Sequence, residues 1–265
     1  MALYLDAIVA AHREAAARDE RSLDELVSRA STMPPTRGFA AALQGRSTLS
    51  VISEIKRRSP SKGDLAPDLD PVALARAYAS GGAAALSVLT DADWFGGSPA
   101  DLVAARGAVD LPVLRKDFTV DPLQIWEARA MGADAVLLIV AALADDGLLA
   151  ALHAAAVDVG LAVLVEADDA VGVERGLAAG ARILGVTNRD LHSFGEDLGV
   201  GERLGALVPP DVVAVAESAM RSVDDARRMA AAGFDAVLVG EALVRADDPA
   251  ALVAGMAALP VARRA

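Results

Sequence analysis

One theme repeats along the chain: a short β-branched apolar run, a few polar residues, then an Ala/Leu-rich stretch with helical spacing. That alternation implies parallel βα units, because each strand is followed by a helix that can cross back over the sheet. The strand candidates are "TLSVISEIK" (48–56), "AALSVL" (84–89), "PVLRKDF" (112–118), "AVLLIV" (135–140), "AVLVEA" (162–167), "ILGVTNR" (183–189), "VVAVAES" (212–218) and "AVLVGE" (236–241). Helical segments open at Pro71, Pro99, Pro122, Asp145, Asp168, Val200, Ser222 and Pro249, several with Pro or Asp where a first helical turn accepts it. Three junctions, "GGAAAL", "MGADAV" and "AGFDAV", place Gly at a helix end, where it can take the left-handed cap.

Eight such units in a chain of 265 residues match an α/β fold of the (β/α)8 TIM-barrel type, expected as one domain over residues 1–265. Residues 1–47 precede the first strand and read as a helical extension of two helices lying across the barrel. Its "SLDE", Ser22–Glu25, has capping-box spacing, and Leu3, Ile8, Val9, Leu23, Leu26 and Val27 can form apolar stripes. An open doubly wound sheet competes, but it usually carries a glycine fingerprint after its first strand, and "EIKRRSPSKG" is not one.

The net charge is −12 and aromatics make up 3%, so neither a nucleic-acid-binding stripe nor base-stacking platforms are available. Small molecules are the expected partners, with no nucleic acid and no membrane, and the chain is expected as a monomer or weak homo-oligomer. There is no cysteine, which removes disulfides, thiolate metal sites and a thiol nucleophile and agrees with a cytoplasmic setting. "MALYLDAIVAAHREAAARDE" breaks its apolar residues with charge too early for a signal-peptide core, and no later uncharged stretch is long enough to span a bilayer.

Against that acidity the run Lys56, Arg57, Arg58 and Lys62 stands out, and it directly follows a strand. In such a barrel the C-terminal strand ends face the active site, so ionisable residues there need a reason. Here they are Glu54 and Lys56, Lys116, Glu166, Arg189, Glu217 with Ser218, and Gly240 with Glu241, spread over six strands. Any one alone reads as a solvated strand end or half of a salt bridge, which adds little stability. Gathered in one mouth, they would perturb one another's ionisation as a catalytic site requires. The last two strand ends, "AESAM" and "VGEALV", fall where barrels often bind phosphate; singly, Gly240 could be a tight turn and Ser218 a helix cap. His12, His153 and His192 share no spacing with each other or with acids, so no metal site is expected, and Trp126 reads as packing.

"SVISEIKRRSPSKG", "YASGGAAALSVLTDADWFGGSPADL", "LPVLRKDFTVDPLQIWEARAMGADAVLLI", "LVEAD" and "VGEALVR" closely resemble the indole-3-glycerol phosphate synthases of tryptophan biosynthesis. The likeness runs from "YLDAIVAAHRE" to "VGEALVR", nearly the whole chain, and "EIKRRSPSKG" with "RKDF" is its most specific part. The resemblance implies a (β/α)8 barrel with an N-terminal helical extension over the catalytic face. It also implies a carboxy-lyase that needs no cofactor. Its reaction closes the ring of 1-(2-carboxyphenylamino)-1-deoxyribulose 5-phosphate with loss of carbon dioxide and water. That substrate bears both phosphate and carboxylate, which a basic loop at the mouth of an acidic protein would attract.

By the same resemblance Lys116 is the general acid on the ribulose carbonyl, and Lys56 contacts the anionic groups and serves a later proton transfer. Glu166 is the acid/base of the dehydration, while Glu54 and Glu217 hold and tune the lysines and sugar hydroxyls. Ser59 and Arg189 lie near the anthranilate carboxylate; Pro60, Phe118 and Leu138 pack around the aromatic ring. Ser218, Ala219, Gly240 and Glu241 form the phosphate site. Two positions depart from the family pattern: Thr187 stands where asparagine is usual in "GVTNRD", with Asn188 directed to the opposite face, and Ala219 replaces the glycine of Glu-Ser-Gly. A degenerate phosphate-binding paralogue without turnover and a sugar-phosphate isomerase barrel are the alternatives. The retained lysines and acids argue against the first, and the absence of cysteine against the isomerases that pair an acid with one.

Overall fold

The structure, a computed structural model, describes residues 4–190, 195–262 and 264. Its barrel strands are β1 (Ser50–Ile55), β2 (Ala85–Leu89), β3 (Val113–Lys116), β4 (Ala135–Ile139), β5 (Ala162–Ala167), β6 (Ile183–Thr187), β7 (Val213–Glu217) and β8 (Ala236–Val239). All pair in parallel with their sequence neighbours, and β1 pairs with β8, Ser50 opposite Ala236 through Ser53 opposite Val239, which closes a barrel. The strand after each helix is therefore the next stave, as the repeated unit predicts.

Strand alternation divides the apolar residues between two cores. Ile52, Ala85, Leu114, Leu137, Leu164 and Val215 point into the lumen. Val51, Leu86, Val113, Val136, Val165 and Ala214 point outward against the helices. Both faces are buried, so each strand reads as continuously apolar rather than alternating.

The helices that cover the barrel are α4 (Pro71–Ser80), α5 (Pro99–Ala108), α6 (Pro122–Met131), α7 (Asp146–Asp158), α8 (Ala170–Ala178), α9 (Leu198–Gly205), α10 (Val223–Ala231), and α11 (Glu241–Val244) with α12 (Pro249–Ala257). Asp70, Ser98, Asp121, Asp145, Asp169, Asp197, Ser222 and Asp248 cap eight of them through side-chain acceptors. The sequence-based starts hold to within two residues, α9 opening at Leu198 rather than Val200. Gly82, Gly132 and Gly233, one in each quoted junction, have φ of 87°, 88° and 91°.

The extension departs from expectation in three ways. Among its described residues it holds three helices, α1 (Tyr4–Ala17), α2 (Leu23–Ser31) and a short α3 (Phe39–Leu43), not two. Ser22 is the N-cap of α2 but makes no side-chain capping bond, so the expected capping box is absent; one forms instead at Asp121 with Gln124. Leu23 is exposed, leaving Leu26 and Ala30 as the buried stripe of α2, which packs on α6. Leu3 lies outside the described residues. Leu5, Ile8 and Val9 of α1 are buried, Leu5 and Val9 in the lumen cluster.

The barrel is shut at its other end. Phe39 and Leu43 of α3 join the lumen cluster, and Arg37 just before them donates to the carbonyls of Val109 and Leu111, both at 2.8 Å, where the chain enters β3. The Arg37 N–H donates at 2.7 Å to Asp134 Oδ1, and Asp134 Oδ2 accepts from Val113 N–H at 2.8 Å. Among the described residues no helix is long and apolar enough to cross a membrane.

Candidate active site

Two-residue periodicity builds the site. Glu54 follows Ile52, Lys116 follows Leu114, Glu166 follows Leu164 and Glu217 follows Val215, each two positions beyond a lumen-facing apolar residue. Each must point into the same lumen, one layer nearer the C-terminal mouth. There they line a cavity of about 450 Å³, together with Lys56, Arg189 and residues of α1.

Lys116 is the hub. Its Nζ donates to Glu166 Oε2 at 2.7 Å and to Glu217 Oε2 at 3.0 Å. Burial works against the ammonium, but Glu166, Glu217 and Glu54 outweigh it and hold the amine above its ordinary range. Glu217 moves the other way: burial, only partly offset by Lys116, pushes its carboxyl up to about 8. Its Oε1 is buried without a hydrogen-bond partner. A second pair lies alongside, with Lys56 Nζ at 2.6 Å from Glu54 Oε1 and Ser87 Oγ donating to Glu54 Oε2 at 3.4 Å. Burial opposes the Glu54 charge, yet the charges of Lys56 and Lys116 win and bring its carboxyl below the usual value.

The last two strand ends shape a concave wall. Ser218 and Ala219 both have left-handed backbones, φ 64° and 63°, a conformation that costs a non-glycine residue about 1–2 kcal/mol. Thr187 is buried and its hydroxyl is committed, donating to Ser218 Oγ at 3.2 Å and accepting from Arg189 N–H at 3.3 Å. Gly240 is no left-handed turn, since its φ is −120°; it is small because a Cβ there would overlap Glu54 Oε1 and come within 3.1 Å of Lys56 Nζ. Glu241 lines the same wall and pairs with Arg245 at 3.5 Å. Asn188 faces away as expected, its side chain donating to Glu217 O at 3.0 Å and accepting from Gly201 N–H at 2.9 Å.

Three expectations need correction. Leu138 does not face the cavity: it is buried in the outer core, and Leu137 takes the lining position, because β4 alternates one residue out of the expected phase. Ser59 does not line the cavity either. It sits in a small hairpin pairing Arg58 with Asp64, buried and with an unpartnered hydroxyl, while the next residue, Pro60, does reach the cavity. The basic run is mostly structural. Arg57 binds Asp101 and Arg58 the carbonyls of Ala92 and Asp93, so only Lys56 of that run lines the cavity. Phe118 lines it as expected, beside Phe95 at a ring-centroid distance of 6.2 Å.

Other groups in and beside the cavity were not legible in the sequence. His12 of α1 reaches Asp91, Nε2 to Oδ2 at 3.0 Å, with Nδ1 3.9 Å from Asp117 Oδ1, and it tilts against the Phe118 ring at 5.2 Å. Burial opposes the Asp91 charge, but His12 and the N–H groups of Trp94 and Phe95 keep that carboxyl below its ordinary value. Among the described residues, these three form the one group whose ligand atoms could converge on a metal ion. Protein donors already occupy both aspartates: Asp117 accepts from Thr90, Arg115 and the Phe118 N–H. The trio therefore reads as a hydrogen-bonded anchor for α1. His192 lies outside the described residues. Glu196 bridges Arg189 at 2.6 Å and Arg221 at 2.5 Å, and burial is outweighed there by the two guanidinium groups, which lower its carboxyl.

Comparison with known proteins fits this geometry. Solved structures share the fold: 3-hexulose-6-phosphate synthase aligns with a TM-score of 0.61 at 21% identity, covering 79% of this chain and 99% of that one. Thiamine phosphate pyrophosphorylase from Pyrococcus furiosus aligns at 0.57 and 18%, covering 79% and 93%. Relatives by sequence are much nearer. "Indole-3-glycerol phosphate synthase 2" of Streptomyces coelicolor is 53% identical, covering 92% of this chain and 93% of the relative. The "Indole-3-glycerol phosphate synthase" of Kineococcus radiotolerans is 48% identical, covering 96% and 94%. The family model described as "Indole-3-glycerol phosphate synthase" matches residues 5–256, and the chain belongs to that family.

Proposed function

We propose that this chain closes the ring of 1-(2-carboxyphenylamino)-1-deoxyribulose 5-phosphate, releasing carbon dioxide and water to give indole-3-glycerol phosphate. The observation that carries the reading is a partly buried ammonium, Lys116, held between the carboxyl groups of Glu166 and Glu217 at the floor of the cavity. The aromatic carbon bearing the carboxylate attacks the ribulose carbonyl, and Lys116 gives its proton to the oxygen as negative charge develops there. Loss of carbon dioxide returns an electron pair to the ring. The new hydroxyl then leaves as water while the neighbouring methylene carbon gives up a proton, with Glu166 assigned the acid/base work. Lys56 meets the anionic groups of the substrate and serves a later proton transfer, and Glu54 and Glu217 hold the two lysines.

Arg189 is assigned to the substrate carboxylate and the wall of Ser218, Ala219, Gly240 and Glu241 to the phosphate. Phe118 and Pro60 hold the aromatic ring, with Leu137 in the place expected of Leu138. We read residues 1–265 as one domain, α1 being part of its active face. The setting we infer is cytoplasmic, acting on a small anionic molecule as a monomer or weak homo-oligomer. Adding the carboxyphenylamino-deoxyribulose phosphate to pure protein and following indole fluorescence tests the reading. Absence of turnover with retained binding would instead mark a degenerate phosphate-binding paralogue.

A further inference from the structure

Gly185 occupies the middle of β6 in ordinary extended backbone, where a glycine weakens a strand and no positive φ calls for it. Its Cα is level with Glu166 on β5 and with Val215 on β7, so a side chain there would enter the lumen in the layer of Glu166. That space is taken. Glu217, opposite Thr187 one step nearer the mouth, folds its side chain back across β6. A Cβ on residue 185 would overlap Glu217 Oε1 and lie 3.1 Å from its Cδ, with Leu164 Cδ1 at 3.3 Å on the other side. Oε1 is the atom with no hydrogen-bond partner, whereas Oε2 of the same carboxyl accepts from Lys116 at 3.0 Å. The carboxyl is therefore held through Oε2 by Lys116, with Glu166 beside it, and at Oε1 by the hollow that the glycine leaves.

We propose that Gly185 is a positioning residue for the reaction, its missing side chain admitting the Glu217 carboxyl to the flank of β6 and so keeping the second acid on Lys116. The inference rests on the reading of Lys116 as proton donor. A methyl at 185 would push the carboxyl toward the mouth, where water reaches it, and would leave Lys116 hydrogen-bonded to Glu166 alone. Displacement of a catalytic group by about an ångström can cost up to about 100-fold in rate.

The test compares Gly185→Ala, Glu217→Ala and the double variant in the full chain, by urea unfolding and by steady-state kinetics across pH. In the wild-type background Gly185→Ala should lower kcat about 10- to 100-fold, leave KM within about threefold, and displace the alkaline limb of the kcat profile. With Glu217 already truncated the methyl has room, so Gly185→Ala should then cost neither stability nor further rate. Should Gly185→Ala fail to fold alone, recovery of folding in the double variant supports the proposal. Equal losses in both backgrounds, an unfolded double variant beside a folded Glu217→Ala, or an unchanged pH profile would overturn it. An inactive wild type would overturn the proposed function, and with it any catalytic role for Gly185, whereas an active wild type with additive variants defeats the Gly185 proposal alone.

Discussion

Lys116 Nζ stands 2.7 Å from Glu166 Oε2, so the proposed donor for ring closure and the proposed base for dehydration are hydrogen-bonded to each other before substrate arrives. The ketone oxygen must take the lysine's proton away from that partner. Lys116→Met should therefore stop ring closure by about two to four orders of magnitude while substrate still binds. Single-turnover fluorescence together with equilibrium binding checks this, and turnover within a few-fold of wild type would defeat the assignment.

Glu217 makes a pH-dependent contribution whose sign can be worked out. Burial moves its carboxyl from 4.5 to about 8, so between those values the folded chain keeps a proton that the unfolded chain has released. The stability this proton confers is full below about pH 4.5 and is lost as pH rises through about 8. Glu217→Gln keeps the neutral shape at every pH. Urea midpoints of the two proteins at about pH 5 and about pH 9 should shift relative to each other in the variant's favour at the higher value. A gap independent of pH would mean that Glu217 is ionised throughout.

Inorganic phosphate or sulfate should compete with substrate, and the ion should sit beside Ser218 and Gly240, on the wall where Thr187 holds Ser218. Inhibition kinetics and a phosphate-soaked crystal check it. An empty wall, or inhibition that is not competitive, contradicts the assignment.

Thr187→Val keeps the branched shape and deletes the hydroxyl that joins Ser218 to the Arg189 N–H. The expected result is a fall in kcat/KM of roughly 2- to 13-fold, the worth of one hydrogen bond at about 0.5–1.5 kcal/mol, carried mostly by KM. An unchanged KM would show that Ser218 keeps its place without help.

His12→Ala removes the link from α1 to Asp91 and the ring contact with Phe118. A buried Asp91 that loses one of its three partners should cost about 1–3 kcal/mol of stability. KM should rise as well, because Leu5 and Ile8 of the same helix line the cavity. Thermal unfolding and KM measured on the one variant decide it: no change in either would show that α1 docks through its apolar face alone.

Much of this was legible because barrels repeat. Strand ends carrying Glu54, Lys116, Glu166 and Glu217 declare themselves, since a charge that closes an apolar run is costly to bury unless a partner or a ligand meets it. What failed were questions of phase and of long-range meeting. "AVLLIV" is apolar at every position, so alternation cannot say whether Leu137 or Leu138 enters the lumen. His12, Asp91 and Asp117 come from α1, the chain after β2 and the end of β3, and no spacing rule joins residues 79 positions apart. The basic run misled for another reason: an arginine in sequence looks free for a ligand, but Arg57 is consumed by Asp101 and by the carbonyl of Leu69.

The plug formed by Arg37, Asp134 and α3 closes the end of the barrel opposite the lysines, with the apolar lumen layers between them. Foundation and workshop thus occupy different floors of one building. Reinforcement below, such as tighter packing around Phe39 or a firmer clasp on the Val109 and Leu111 carbonyls, should leave the proton traffic above undisturbed. Thermal robustness and turnover can accordingly be tuned by separate substitutions in this chain, without the usual exchange of one for the other.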